Sequence, residues 1–273
     1  MFDAGRRPGH PYLAGAPHLV AHRGGSKLAP ENTMAAFRQA VDHWRADILE
    51  MDVRLTVDGE VVVIHDAAVD RTTDGSGQVR DLPWATVREL DAGHRFTALD
   101  GTHSFRGKGV GIPRFEEVLE AFPRTRLNVE SKSPEAAAPL VALIERHGAT
   151  QRVLIAAEHE HTRDGARGYR GPWGASTGHV ARLRLLPFGY TPPVDIIQVC
   201  EWWRGIRVVT PAFLMRAHRR NIPVQVWTVD EPADMRRLIY MGVDGIQSDR
   251  PDLLAQVLTE IVKRPPPPGP PSP

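Results

Sequence analysis

PAFLMRAHRRNIPVQVWTVDEPADMRRLIYMGVDGIQSDRPDLLAQVLTEIV, residues 211–262, alternates two kinds of segment. Pro211–Arg220, Glu231–Met241 and Pro251–Val262 carry apolar side chains at helical spacing, each with a proline at or beside its start. Proline at the first helical turn is a start signal, because its missing N–H has no intrahelical partner there anyway. Between them, Val224–Thr228 and Gly245–Gln247 are apolar runs too short for helices. Strand and helix in alternation predict parallel strands with helices outside them, since parallel neighbours need a long crossover.

The same alternation continues towards the N-terminus. His18–Ala21, Ile48–Val53, Val61–Ile64, Leu127–Glu130, Val153–Ala157, Gly174–Ser176 and Ile196–Val199 read as strands. Thr33–Trp44, with Asn32 or Thr33 as cap, and Pro134–Arg146 read as helices. With 273 residues, the chain is close to the roughly 250 of a β/α barrel. The expected fold is therefore α/β, a single (β/α)8 TIM-type barrel over residues 18–262. The strand candidates exceed the eight a barrel needs. Asp58-Gly59 is a hairpin signal, and a hairpin joins antiparallel neighbours. Ile48–Ile64 is thus expected to hold an excursion, and Gly174–Ser176 is the weakest strand. A small insertion after the third strand region, about residues 67–124, has turn signals and one short helix candidate, Pro83–Leu90.

Residues 1–17 are rich in Gly, Pro and Arg and read as a flexible arm. The end of the chain, 263–273, contains RPPPPGPPSP and reads as a disordered tail. A scaffold role through a proline-binding partner would rest on that tail alone. The formal net charge is +1, so no global field points to nucleic acid or an anionic surface. No apolar run suits a secretory signal or the ~18 residues of a transmembrane segment, and a cytoplasmic protein is expected. Cys200 is the single cysteine and ends the run Ile-Ile-Gln-Val-Cys. It reads as an inert buried thiol.

In a β/α barrel the active site lies at the C-terminal ends of the strands. The runs here end in His22-Arg23-Gly24-Gly25, in His65-Asp66 and in Glu130-Ser131-Lys132, and Ile48–Val53 contains Glu50 and Asp52. Glu50 and Asp52 share one strand face. Two buried carboxylates need positive charge between them. A hard divalent cation, Mg²⁺ or Ca²⁺, supplies it, with Glu130 as a third ligand. An acid pair salt-bridged to Arg54 or Arg23 is the competing reading. His22 and His65 are acid and base candidates, against the alternative of structural histidines. Arg23 and Lys132 suit phosphate, and Gly24-Gly25 would let backbone approach a ligand.

The ordered set His22-Arg23-Gly24, Glu31-Asn32-Thr33, Glu50-x-Asp52, His65-Asp66 and Arg71-Thr72-Thr73-Asp74-Gly75 resembles the glycerophosphodiester phosphodiesterase family. Asp91-Ala92-Gly93, Asn128-Val129-Glu130-Ser131-Lys132, Trp227-Thr228-Val229, Gly242-Val243-Asp244-Gly245 and Ser248-Asp249-Arg250-Pro251 continue it. The resemblance runs from about His18 to Leu254. It implies metal-dependent hydrolysis of small-molecule glycerophosphodiesters to glycerol 3-phosphate and an alcohol. Glu50, Asp52 and Glu130 would bind the metal, and His22 and His65 would form the acid–base pair. Arg23 and Lys132 would contact phosphate, and Glu31 and Trp227 would lie near the glycerol or metal pocket. A glycerol hydroxyl would attack phosphorus. Analogy with phosphoinositide-cleaving barrels makes His22 the base and His65 the acid. His159-Glu160-His161 departs from the family pattern and leaves substrate preference open. A lysophospholipase D-type activity and a non-catalytic phosphate-ester binding barrel are the alternatives.

Overall fold

The computed structural model describes residues 10–186 and 189–270. The first half runs β1 (His18–Ala21), α1 (Met34–Asp42), β2 (Ile48–Leu55), β3 (Val61–Val63), α2 (Trp84–Val87), α3 (Phe115–Ala121), β4 (Arg126–Ser131) and α4 (Pro134–Arg146). Next come β5 (Val153–Ala156), α5 (Thr177–Leu185), β6 (Ile197–Cys200), β7 (Trp202–Trp203) and β8 (Ile206–Arg207). The chain ends with α6 (Pro211–His218), β9 (Val224–Trp227), α7 (Pro232–Met241), β10 (Gly245–Ser248) and α8 (Pro251–Val262).

Parallel strands pair in the order β5-β4-β2-β1-β10-β9-β6. Single parallel bridges Ile155–Trp173 and Gly174–Ile196 join the two ends of that path. The weakest strand candidate is thus a short extended stretch around residues 173–174 that supplies the eighth barrel position. β3 lies off the path and pairs antiparallel with β2, Val53 opposite Val63. The Asp58-Gly59 hairpin is present, with Gly59 at φ 88°, a value that favours glycine.

Two apolar clusters fill the space between sheet and helices. One packs Phe37, Phe115, Leu127, Leu140 and Val153; the other packs Leu214, Val226, Leu238, Ile246 and Leu254. The helices of the quoted C-terminal stretch form as expected, because propensity, proline starts and the apolar stripe agree. Thr33 caps α1 by accepting from the Ala36 N–H at 3.3 Å. Asn32 does not cap.

The insertion has a small core of its own, with Val62, Ile64, Val69, Val79, Val87 and Ile112. It ends earlier than expected. α3 puts Phe115, Val118 and Leu119 into the main core, so it belongs to the barrel. The expected loose arm is docked over residues 10–17. Tyr12 is buried with Val20, Ile48, Leu154 and Ile196 at the base of the barrel, and Arg126 Nη1 donates to the Tyr12 and Ala14 carbonyls at 2.9 and 2.7 Å. A barrel's lower mouth needs an apolar plug, and Tyr12 provides one. Residues 263–270 have no helix or strand, yet Arg264 pairs with Asp47 at 2.6 Å and the Gly269 N–H donates to the His43 carbonyl. Residues 1–9 of the arm and 271–273 of the tail lie outside the described residues. No helix among the described residues is long and apolar enough to cross a membrane.

Candidate active site

β2 and β4 pair in register with Glu50 opposite Asn128 and Asp52 opposite Glu130. All of them line one cavity of about 480 Å³ at the C-terminal mouth, with His22, Arg23, His65, Lys132 and Trp227. Glu50, Asp52 and Glu130 each offer an oxygen within 4.8 Å of the others'. Lys132 Nζ sits between two of them, 3.1 Å from Asp52 Oδ1 and 3.0 Å from Glu130 Oε2. Among the described residues, no lysine or arginine side chain pairs with Glu50, whose ionisable partner is His22. Glu50 accepts the Arg23 backbone N–H at 2.8 Å, and His22 Nε2 lies 3.9 Å away.

The electrostatics follow from this uneven supply of positive charge. Burial first, then the Asp52 charge, push the Glu50 carboxyl up to about 7. Burial also acts against charge on Asp52, but Lys132 and Arg23 outweigh it and hold that carboxyl below the usual range. A buried carboxylate whose charge lacks compensation is what a cation position looks like without its ion. The donor set is all oxygen, which suits Mg²⁺ or Ca²⁺. The residues present therefore fit a divalent cation. The competing salt-bridge reading is met in part, because Arg23 Nε is 3.4 Å from Asp52 Oδ2. Arg54 instead donates to the His65 carbonyl.

His22 follows β1 in a tight turn in which Arg23, Gly24 and Gly25 all have positive φ. The glycines were expected to admit a ligand. They admit neighbouring elements instead: a Cβ on Gly24 would lie 2.7 Å from Ala36 Cβ, and one on Gly25 would lie 2.8 Å from Pro251 Cγ. That packing turns the His22 ring inwards. Its Nδ1 bonds Asp249 Oδ1 at 2.6 Å. Burial pulls the imidazole towards neutrality, but the Glu50 charge and then Asp249 overcome it and raise the pKa to about 9. His65 has a matching partner, Asp66 Oδ1, 2.7 Å from its Nδ1. Asp66 is held by Arg71, whose Nε donates to Asp66 Oδ2 at 2.6 Å.

Glu31 is not among the cavity-lining residues. It lies behind Arg23, accepting from Arg23 Nη1 at 2.9 Å and from both Arg71 terminal nitrogens at 2.8 and 2.7 Å. Arg71 thereby ties the loop after β1 to the loop after β3. Asn32 donates to Asp52 Oδ2 at 3.0 Å and accepts the Asp52 N–H. Asp249 and Arg71 were quoted within the sequence motifs without a role, and Asn32 only as a candidate helix cap. Their partners are distant in sequence, and only the fold reveals them. Two buried polar atoms facing this region, Arg23 Nε and Asn128 Oδ1, have no hydrogen-bond partner. Unmet buried groups beside a cavity point to a polar ligand. Cys200 also departs from expectation: it is only partly buried and lines the cavity. His159 and His161 stack on each other and do not line the cavity; Glu158 does.

The sequence model of the "Glycerophosphoryl diester phosphodiesterase family" matches residues 22–165 and 189–253. A glycerophosphodiester phosphodiesterase of Caldanaerobacter subterraneus is 33% identical over 261 residues, 88% of this chain and 97% of that protein. A probable glycerophosphodiester phosphodiesterase of Mycobacterium tuberculosis is 36% identical over 251 residues, 88% of this chain and 89% of that one. The crystal structure of a glycerophosphodiester phosphodiesterase from Agrobacterium tumefaciens superposes with a TM-score of 0.69 at 27% identity, covering 87% of this chain and 98% of that one. With metal-fitting carboxylates and two backed histidines at the barrel mouth, the chain belongs to the glycerophosphoryl diester phosphodiesterase family.

Proposed function

We propose that the chain hydrolyses glycerophosphodiesters to glycerol 3-phosphate and an alcohol. Glu50, Asp52 and Glu130 hold a divalent cation, Mg²⁺ or Ca²⁺, and His22 and His65 move the protons. The observation that carries this reading is the facing arrangement itself. Three convergent carboxylates share a cavity with two histidines, each backed at Nδ1 by an aspartate. A bound divalent cation supplies charge for the carboxylates and electrophilic pull on the phosphate.

The chain's own groups do the rest. Arg23, whose Nε lies 3.4 Å from Asp52 Oδ2 but makes no hydrogen bond, and Lys132 offer positive charge to the phosphate oxygens. With Nδ1 engaged, Nε2 is the atom each ring has left for proton transfer. His22 is charged near neutrality so long as the Glu50 charge is uncompensated, since Glu50 is its strongest raising influence. Compensation at Glu50 frees the ring to act as base towards the attacking hydroxyl. As the glycerol hydroxyl bonds to phosphorus, His65 protonates the departing alcohol oxygen, and water then opens the resulting cyclic phosphate to glycerol 3-phosphate. Binding alone needs neither proton transfer, so two histidines backed in this way favour catalysis over a passive phosphate-ester site.

The test is turnover of glycerophosphocholine by metal-replete protein. His22→Ala and His65→Ala should each lower it by ~10²–10⁴-fold with the fold intact. A nitrophenolate leaving group needs no proton, so it should rescue His65→Ala and leave His22→Ala impaired. A folded, metal-replete protein inert towards glycerophosphodiesters would overturn the reading.

A further inference from the structure

Deep in the cavity stands an acceptor that the phosphate chemistry leaves unused. Asn128 lies on β4 opposite Glu50, one inward-facing position below Glu130. It is 3% exposed, it lines the cavity, and its Oδ1 has no hydrogen-bond partner. Among the described residues that line the cavity, only Arg23 and Asn128 hold such an unmet buried atom. The other amides of the barrel interior differ. Gln198 Nε2 donates to Gln225 Oε1 at 3.1 Å, and Gln225 Nε2 lies 3.4 Å from His18 Nδ1. Asn128 Oδ1 takes no part in that chain.

A buried acceptor left unmet is costly to the free protein, and a ligand that brings a donor accounts for it. The two unmet atoms are of opposite kinds. Arg23 Nε is a donor and suits a phosphate oxygen. The oxygens of an ionised phosphodiester carry no hydrogen, so they cannot serve Asn128. The glycerol of the substrate carries two O–H groups. The one next to the phosphate gives its proton to His22 in the proposed hydrolysis, which leaves the terminal one. Position agrees with this division. Asn128 faces Glu50 across the strand ladder, and Glu50 Oε2 is 3.9 Å from His22 Nε2. Asn128 is therefore on the side of the site where the attacking glycerol must lie. His65, which serves the departing alcohol, follows β3 instead.

We propose that Asn128 Oδ1 accepts the terminal hydroxyl of the glycerol and so determines specificity for a glycerol with both hydroxyls free. This rests on the proposed hydrolysis. The terminal hydroxyl makes and breaks no covalent bond in it and contributes binding and orientation alone. A methyl group in its place, or an oxygen already esterified, offers no hydrogen. Asn128 then stays unmet in the complex, in a site that water has left, and the substrate loses by that amount.

The experiment measures kcat/KM of metal-replete protein on glycerophosphocholine and on the analogue with propane-1,2-diol in place of glycerol. The analogue keeps the attacking hydroxyl and carries a methyl at the terminal carbon. The wild type should prefer glycerophosphocholine by roughly 5- to 150-fold, the span expected for one unmet buried acceptor. Asn128→Leu keeps the volume and removes the acceptor, so it should treat the two substrates alike to within about twofold. Equal kcat/KM in the wild type overturns the proposal. So does a preference that survives in Asn128→Leu. Should the variant not fold, the wild-type preference decides by itself.

Binding supplies a readout free of turnover. Calorimetric titration with glycerol 3-phosphate and with propane-1,2-diol 1-phosphate should show the same preference in the wild type and its loss in Asn128→Leu. Titration of Asn128→Leu with Mg²⁺ alone should give the wild-type affinity. A fall like that of Glu50→Gln would make Asn128 a cation ligand and overturn its assignment to the hydroxyl. A binding preference without turnover of any diester would refute the hydrolysis and keep the role of Asn128. Turnover with no preference in either assay would refute the role of Asn128 alone.

Discussion

Removing the carboxylate behind His22 tests whether the histidine is held and charged as the geometry indicates. Asp249 Oδ1 lies 2.6 Å from His22 Nδ1, and both side chains are more than four-fifths buried. A hydrogen bond to a charged group contributes about 1.5–3 kcal/mol, against about 0.5–1.5 between neutral partners. Asp249→Asn keeps an oxygen in place and loses only the difference, roughly 1–1.5 kcal/mol. At 1.36 kcal/mol per tenfold, that corresponds to about a tenfold fall in kcat. Asp249→Ala forfeits the whole bond and should cost roughly 10- to 150-fold. Both variants should lower the His22 pKa from about 9 in metal-free protein, because the Asp249 bond and charge are the next raising influences after Glu50. Ring-proton NMR titration reads the shift, and steady-state turnover of glycerophosphocholine reads the rate. Wild-type turnover in both variants with an unmoved His22 titration would refute the reasoning.

Five further outcomes follow from the same site. Glu50→Gln, Asp52→Asn and Glu130→Gln should each weaken Mg²⁺ or Ca²⁺ binding, measured by calorimetry. Added cation should raise the Tm of the native protein, by an amount corresponding to about 2.7 kcal/mol at 100-fold excess over Kd. Lys132→Met removes the cation that Asp52 and Glu130 share and leaves Asp52 with Arg23 alone. It should destabilise the metal-free protein by about 3–5 kcal/mol, with added Mg²⁺ restoring more Tm than it adds to the wild type. His22 titrates near ~6.5 when unfolded and at about 9 when folded. Its contribution, roughly 3 kcal/mol, is therefore present in full below about pH 6.5 and disappears as pH rises through about 9. Denaturant melts of metal-free protein across that window should show the loss, and His22→Gln should remove it. Arg71→Met should lower kcat while cation affinity holds, since Arg71 supports Asp66 and Glu31 rather than the carboxylate cluster.

The alternation of strand and helix, the ends of α4 and α8, the Asp58-Gly59 hairpin and the polar residues ending the first strands were all legible in the sequence. Each is a local matter. Apolar period, proline at a helix start and turn chemistry act over a few residues, and the β/α barrel rule places strand ends at one mouth. α3 and its C-cap carry Phe115, Val118, Leu119 and Phe122 at helical spacing, but inside the stretch expected to be an insertion. α5 and the β7–β8 hairpin were not legible, because their apolar residues follow no clean period and their conformations are set by what they pack against. The same holds for Tyr12, which closes the barrel base from a stretch without periodicity. Above all, tertiary structure decided the partners. Asp249 reaches His22 across 227 residues of chain, Arg71 reaches Glu31 across 40 and Asn32 reaches Asp52 across 20. The sequence could offer Glu50 and Asp52 as an acid pair on one strand. It could not say that Lys132 would compensate Asp52 while leaving Glu50 short of positive charge, because that imbalance is a matter of ångströms between neighbouring barrel strands.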